Sequence, residues 1–253
     1  MHRAHDYPFL VKRWRAVARA AGLRLRELAR AGEATLFYLQ TKALGASGGI
    51  YISAGIHGDE PAATEALITW AEQNTSRLAS LPLLLFPCLN PWGLVNNCRY
   101  NETGVDLNRL FHTDSSPVVS AVKEVAAAHQ FALALMLHED FDGQGMYLYE
   151  VKREQPFWGE ALLDVARPII PIEPRAKVDG RKAVSGIIRR RFDAKKFAAM
   201  GFPEAIWMHR YHARRALTVE TPSEFALEQR VAAHIAVLEE CVRRSVGSSS
   251  AGQ

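Results

Sequence analysis

The sequence predicts an α/β fold, layered around a mostly parallel sheet. Two observations carry this. Short apolar runs alternate along the chain with segments whose apolar residues recur at helical spacing. In addition, His57, Asn90, His138 and Glu220 each follow directly on one of the apolar runs. Functional groups of open parallel sheets gather at the carboxyl ends of the strands, so these side chains are expected to meet there.

Taken in order, Asp6-Tyr7-Pro8 opens a helix with Phe9, Leu10, Trp14, Val17 and Ala21 on one face, and Gly22 ends it. Leu23 to Leu28 and Thr35 to Leu39 alternate as two strands, joined through Ala31-Gly32. Gly49 to Ala54 reads as a buried strand. Pro61 to Gln73 reads as a helix, since Pro61 suits a first turn and Ala63, Ala66, Leu67 and Trp70 share one face. Leu83 to Leu89 is a further buried strand. Asn90 to Thr113 is rich in Asn, Gly, Asp and Arg; an irregular segment this long inside a compact domain is usually functional. Ser116 caps and Pro117 opens a helix to His129, striped by Val118, Val122 and Val125.

Phe131 to Leu137 is a strand that delivers His138, and Met146 to Tyr149 is a strand after the turn at Asp142-Gly143-Gln144-Gly145. Pro156 to Ala166 is expected to be helical. Residues 167–205 are basic and broken by Pro and Gly, with one short helix expected over Ala194 to Met200. Ala216 to Val219 is a strand ending at Glu220. The last helix is expected from Ser223 to Arg244, with Val231, Ile235, Leu238 and Val242 inward. Residues 1–244 then form a single domain, and the Ser/Gly-rich stretch 245–253 is expected to be disordered.

Composition excludes several classes. Hydrophobic content of 48% and charged content of 23% are those of a soluble globular chain. The strongest apolar run, Leu81 to Leu89, is too short to span a bilayer and contains Pro82 and Pro87. Cys88, Cys98 and Cys241 show no CxxC spacing, which argues against a disulfide framework. With no continuous apolar segment behind the N-terminus, a cytoplasmic location is expected. The net charge is +4, and basic residues concentrate between Arg175 and Lys196. No nucleic-acid module or aromatic interleaving accompanies them. The block therefore reads as a solvated loop or as a positive rim for anionic substrates, with no nucleic-acid partner expected.

The chemistry centres on Gly55-Ile56-His57-Gly58-Asp59-Glu60, between a strand and a helix. Three residues apart on a tight turn, an imidazole and a carboxylate can face one point, and both are good zinc ligands. Gly55 and Gly58 let the backbone bend there. On its own this spacing is weak evidence. The long loop adds Asn90-Pro91-Trp92-Gly93, then Arg99-Tyr100-Asn101, then Gly104-Val105-Asp106-Leu107-Asn108-Arg109.

HxxE, NPxG, GVDLNR, a strand-end His and a strand-end Glu, in that order, resemble the zinc carboxypeptidases. They also resemble the related succinylglutamate desuccinylase and aspartoacylase group. The resemblance runs from about residue 35 to residue 240 and implies a three-layer α/β/α sandwich with a mixed, mostly parallel twisted sheet. It implies one zinc ion per chain on His57, Glu60 and His138, with Glu220 as general base. Arg99 corresponds to the arginine that polarises the scissile carbonyl. Asn108 and Arg109 correspond to the pair that grips a substrate carboxylate, and Asp106 to an acid behind a ligand histidine. Tyr211 lies where a mobile tyrosine of the pancreatic-type enzymes is sought, with no motif to fix it. Asn108-Arg109-Leu110-Phe111 departs from the NRNF form common among the peptidases, which leaves the peptidase and deacylase branches both open.

The residue types agree with that chemistry. Three protein ligands leave a fourth zinc position open, a carboxylate beside it can move a proton, and a guanidinium suits both an oxyanion and a carboxylate. Each residue also has a plainer reading. Asp106 and Asn108 suit a turn, His138 a satisfied strand end, Glu220 a cap for the last helix, and the arginines surface ion pairs. His209 and His212, at HxxH spacing among arginines, read as surface or pocket-lining, because a basic neighbourhood opposes a cation.

Three functions compete: a metallocarboxypeptidase acting on a small peptide, a zinc-dependent N-acyl amino acid deacylase, and an inactive binding module. The full ligand and base set argues against the last. A single helix and tail after Glu220, where the deacylases carry a β-rich domain, favours the first.

Overall fold

The computed structural model describes residues 3–152, 156–190, 197 and 201–249. An eight-stranded mixed sheet runs through it in the order β1-β2-β4-β3-β5-β10-β6-β9. These strands are β1 Leu25–Ala31, β2 Ala34–Gln40, β3 Ser47–Ala54, β4 Leu83–Phe86, β5 Gln130–Asp140, β6 Tyr147–Lys152, β9 Ile187–Arg190 and β10 Ala213–Pro222. The central strands β4, β3, β5 and β10 are mutually parallel, while β1, β2 and β6 each run antiparallel to a neighbour. A two-residue pair, β7 Lys177–Val178 and β8 Arg181–Lys182, forms a separate hairpin.

Helices cover both faces. On one lie α1 Tyr7–Ala20, α2 Pro61–Gln73, α6 Gly159–Ala166 and α8 Leu227–Ser249. They bury Trp14, Leu67, Trp70, Leu162, Val237 and Leu238 against Ile50, Ile52, Leu135 and Leu217 of the sheet. On the other lie α5 Pro117–Ala127 and α7 Glu204–Tyr211, packed on Tyr51, Phe86, Phe131 and Met136. Successive side chains of a strand point to opposite faces. Tyr51 lies between Ile50 and Ile52 and so belongs to the second core, which gives the three layers. Two short helices complete the described set, α3 Thr75–Leu78 and α4 Pro91–Asn96. No described helix is long and apolar enough to cross a membrane.

Most expected elements form, and the differences have physical causes. β5 and β10 run past His138 and Glu220, because their pairing continues to Asp140 opposite Pro222. The two side chains thus stand on strand ends rather than beyond them. The irregular segment contains α4 and a 3-10 turn at Leu107–Arg109. α7 shows no apolar stripe in sequence, because Glu204 and His209 are buried in it alongside Ala205, Ile206 and Met208. β9 offers only Ile187-Ile188 between polar residues, too little for a periodic signal. The helix expected over Ala194 to Met200 lies, except for Phe197, outside the described residues. α8 runs to Ser249, into the stretch expected to be disordered. Ser245 Oγ there bonds back to the Cys241 carbonyl at 2.8 Å, which spares the helix a competing polar group.

Candidate metal centre

The turn after β3 sits under tight constraint. Gly55 has φ +63°, and a Cβ there would lie 2.6 Å from the Thr64 side chain. Gly58 is packed against backbone: a Cβ on it would lie 1.9 Å from the Gly93 carbonyl carbon and 2.2 Å from the Leu94 nitrogen. Gly58 N–H donates to the Cys98 carbonyl at 3.1 Å. The His57–Glu60 turn therefore lies directly on α4. Asn90 closes the loop that follows. Its Oδ1 accepts from Gly93 N–H at 2.9 Å, and its Nδ2 donates to the carbonyls of Arg99 (3.3 Å) and Tyr100 (3.1 Å). That side chain sets where Arg99 stands.

Glu60 occupies the N-cap of α2 but makes no capping bond. Ala62 N–H is satisfied instead by Glu139 Oε1 at 2.6 Å, and Glu139 is ion-paired with Arg230 of α8. The Glu60 carboxylate is thereby free to face the histidines. Its Oε1 lies 2.6 Å from His57 Nδ1 and its Oε2 lies 2.8 Å from His138 Nδ1. Among the described residues, His57, Glu60 and His138 are the one group of three metal-ligating side chains found, with ligand atoms within 4.8 Å of one another. All three are buried.

A second ring of contacts fixes them. His57 Nε2 is 3.2 Å from Asp106 Oδ1, which also accepts from Asn108 N–H at 2.9 Å. Arg99 donates to Asp106 Oδ2 through Nε (3.3 Å) and Nη2 (3.1 Å), and its Nη1 lies 3.3 Å from His57 Nδ1. With Nε2 of His57 turned to a carboxylate, Nδ1 is the nitrogen left to offer a lone pair. Two imidazole nitrogens and a carboxylate oxygen converging this way are a donor set that fits zinc, whose bonds to such atoms measure about 2.0–2.2 Å.

Burial alone would depress the His57 pKa, but the carboxylates of Glu60 and Asp106 outweigh it and lift it to about 9. His138 moves the same way, burial again being outweighed by Glu60. Burial would raise Glu60; the two histidines instead hold it well below the usual carboxylate range. For Glu220 the balance falls the other way. Burial drives its pKa well above the usual range, against the pull of His138 and with the push of Glu60.

Glu220 pairs in register with His138 on one side and Tyr147 on the other. It lines a cavity of about 570 Å³ together with His57, Glu60, His138, Arg99, Asn108 and Arg109. Asn108 is held by Glu204 N–H, which donates to its Oδ1 at 2.8 Å, so its amide NH₂ is the group left over. Arg109 donates to the Asn108 carbonyl at 2.9 Å and is otherwise half exposed.

Tyr211 is not among the cavity's lining residues. It is exposed, its ring tilted at 51° to that of Trp207, with its hydroxyl accepting from Arg210 Nε at 2.9 Å. The reason is strand direction. Tyr211 precedes β10 and lies by the start of β5, where Phe131 N–H donates to the His212 carbonyl, whereas the cavity opens at the other end of both strands. In the basic block, Arg175 is tied to Glu173 and Arg189 to Glu160, while Arg181 lines the cavity. Arg191, Lys195 and Lys196 lie outside the described residues.

Sequence reasoning missed most of the far wall: Tyr147, Tyr149, Asp179 and Arg181, which stand beside Asp140. One signal was available. Asp179-Gly180, with φ of +50° and +67°, is an Asp-Gly hairpin turn between β7 and β8.

Residues 47–157 match the succinylglutamate desuccinylase/aspartoacylase catalytic domain. The matched span holds the metal cluster, Arg99, Asn108 and Arg109, and stops short of Glu220. Solved structures extend the likeness over the whole chain. A provisionally named metallopeptidase from Shewanella amazonensis is 25% identical, with a TM-score of 0.83, covering 95% of this chain and 94% of that one. A metallo-carboxypeptidase from Burkholderia cenocepacia is 18% identical, with a TM-score of 0.65, over 94% of this chain and 69% of that one. A metallo-carboxypeptidase from Pseudomonas aeruginosa, in complex with (2-guanidinoethylmercapto)succinic acid, is 20% identical, with a TM-score of 0.61, over 92% and 68%. No curated protein matches the chain. The fold is metallocarboxypeptidase-like, as the order of motifs implied.

Proposed function

We propose that the protein is a zinc-dependent metallocarboxypeptidase that hydrolyses the C-terminal amide bond of a small peptide. The observation that carries this reading is one of register. Glu220 stands directly beside His138 across β5 and β10, in a cavity that also holds Asn108 and Arg109. A proton acceptor, a metal cluster and a carboxylate grip thus share one space.

His57, Glu60 and His138 would hold the zinc. Bound there, it supplies a Lewis acid that polarises the scissile carbonyl and acidifies an attacking water. The remaining work falls to side chains. Asn108 Nδ2 and Arg109 bind the free carboxylate of the leaving residue and orient it. Arg99, held by Asp106, offers a cation to the charge that develops on the carbonyl oxygen. Glu220 takes the proton of the water and passes it to the departing nitrogen.

The match of residues 47–157 favours one second reading, hydrolysis of N-acyl amino acids. A single screen on zinc-loaded protein tests both: dipeptides with free and amidated carboxyl ends beside N-acyl amino acids. Turnover of the free dipeptides alone supports the carboxypeptidase. Turnover of the N-acyl amino acids alone replaces it with the deacylase. No turnover of either would sink both.

A further inference from the structure

The two long walls of the cavity differ in hydrogen-bonding sense. On the β3 side stand Arg99, Arg109 and the Nδ2 of Asn108, whose Oδ1 is already taken by Glu204 N–H. Apart from the His57–Glu60 cluster itself, what that wall offers is donors, which call for an acceptor such as a carboxylate. On the β6 side stand Glu220, Asp140 and Asp179 with two tyrosines. Tyr147 gives its hydroxyl proton to Asp140 Oδ2 at 2.9 Å, and Tyr149 gives its own to Asp179 Oδ2 at 2.6 Å. The tyrosines thereby orient the two aspartates without neutralising them. Among the other charges on that side, Arg175 is bound to Glu173 through both Nε (2.7 Å) and Nη2 (2.8 Å). Among the described residues, Arg181, across the Asp179-Gly180 turn, reaches the same rim as a single guanidinium beside Asp140 and Asp179. Over the described residues the wall is an acceptor surface of net negative charge, and the group it suits is a multiple donor carrying positive charge.

We propose that the substrate is an unblocked short peptide. Its carboxylate lies on the Asn108–Arg109 wall, and its free ammonium lies on the Asp140–Asp179 wall. The inference rests on the carboxypeptidase reading of the site and adds to it the nature of the other end of the substrate. An N-acyl amino acid, or a peptide blocked at its amino end, presents no cation to the second wall.

The test uses zinc-loaded protein and two probes. Both are trialanine with a ketomethylene in place of the amide nearest the carboxyl end, one with a free and one with an acetylated amino group. Dissociation constants are measured by calorimetry for wild type and for Asp179→Asn. Asn tolerates the left-handed backbone at that position and keeps an acceptor for Tyr149. The free amine is expected to bind at least about tenfold tighter to wild type, the size of a charge-assisted hydrogen bond, and Asp179→Asn is expected to lose a severalfold part of that preference. Equal affinity for both probes, or a preference untouched by Asp179→Asn, overturns the proposal. Hydrolysis of acetylated and free tripeptides by the same protein separates the two levels. Hydrolysis without preference leaves the carboxypeptidase standing and removes this inference. Preference in binding without hydrolysis of either does the reverse.

Discussion

Gly58→Ala is the sharpest perturbation of the metal turn, because the obstacle is backbone on both sides. The added Cβ would lie 1.9 Å from the Gly93 carbonyl carbon and 2.4 Å from its Cα, where ordinary contact begins at 3.4 Å. The turn and α4 must therefore separate by about 1.5 Å, and no side-chain rotamer can absorb it. The contacts that assemble the site, His57 to Glu60 at 2.6 Å and Arg99 to Asp106 at 3.1 Å, do not survive a shift of that size. Overpacking of this kind costs ~3 kcal/mol or more, and at 2–4 °C per kcal/mol in a chain this long the melting temperature falls by about 6–12 °C. Gly32→Ala is the control. That glycine, unlike Gly58, has a positive φ, +55°, and a Cβ on it meets nothing within 4 Å. Its cost is the left-handed backbone alone, ~1–2 kcal/mol, with the metal site untouched. Thermal denaturation and zinc titration on both variants read the difference. If Gly58→Ala melted with Gly32→Ala and bound zinc like wild type, the packing of the turn on α4 would not be what holds the site.

Other outcomes follow from the same geometry. Glu220→Gln should keep stoichiometric zinc and a wild-type melting curve while turnover falls by about a hundredfold or more, the scale of a lost general base; a loss under tenfold removes Glu220 from that role. Arg109→Ala should act mainly on KM and Arg99→Ala mainly on kcat if, as proposed, one grips a ground-state carboxylate and the other meets charge formed during attack; the opposite split would exchange their assignments. Zinc affinity should depend on pH. His57 carries a proton up to about 9 in the metal-free protein, and that proton must leave for zinc to bind, so affinity should rise up to about tenfold per pH unit from 6.5 towards 9 and then level off. A chelator competition giving a flat profile over that range would contradict the proton-sharing between His57 and Glu60.

His57, His138 and Glu220 were legible because each is a polar residue at the end of an apolar strand, where a parallel sheet brings such ends together, and Glu60 because it stands three residues after His57 on the same turn. Asp106, Arg99, Asn108 and Arg109 needed the resemblance, since alone each fits an ordinary turn or ion pair. The far wall escaped because its carriers are small. β7 and β8 are two residues each, and β9 is four. Alternation cannot be read over such lengths. Tyr211 had no motif to fix it, and the structure sets it at the start of β5, away from the cavity. α7 escaped because tertiary packing buries Glu204 and His209 within it, erasing the amphipathic stripe.

β10 lies between β5 and β6 in the sheet yet is made after both. A growing chain that has reached residue 152 holds His57, Glu60 and His138 but leaves two facing strand edges with a gap one strand wide between them. The gap is filled only when residues 213–222 emerge, and they bring Glu220 with them. The strand that completes the hydrogen bonding of the sheet is therefore the one that carries the acid, and pairings of such sequence separation form slowly. During synthesis the His57–Glu60–His138 cluster is made before Glu220 can face it, and the open edges beside it are the part of the nascent chain most exposed to pairing with a stranger.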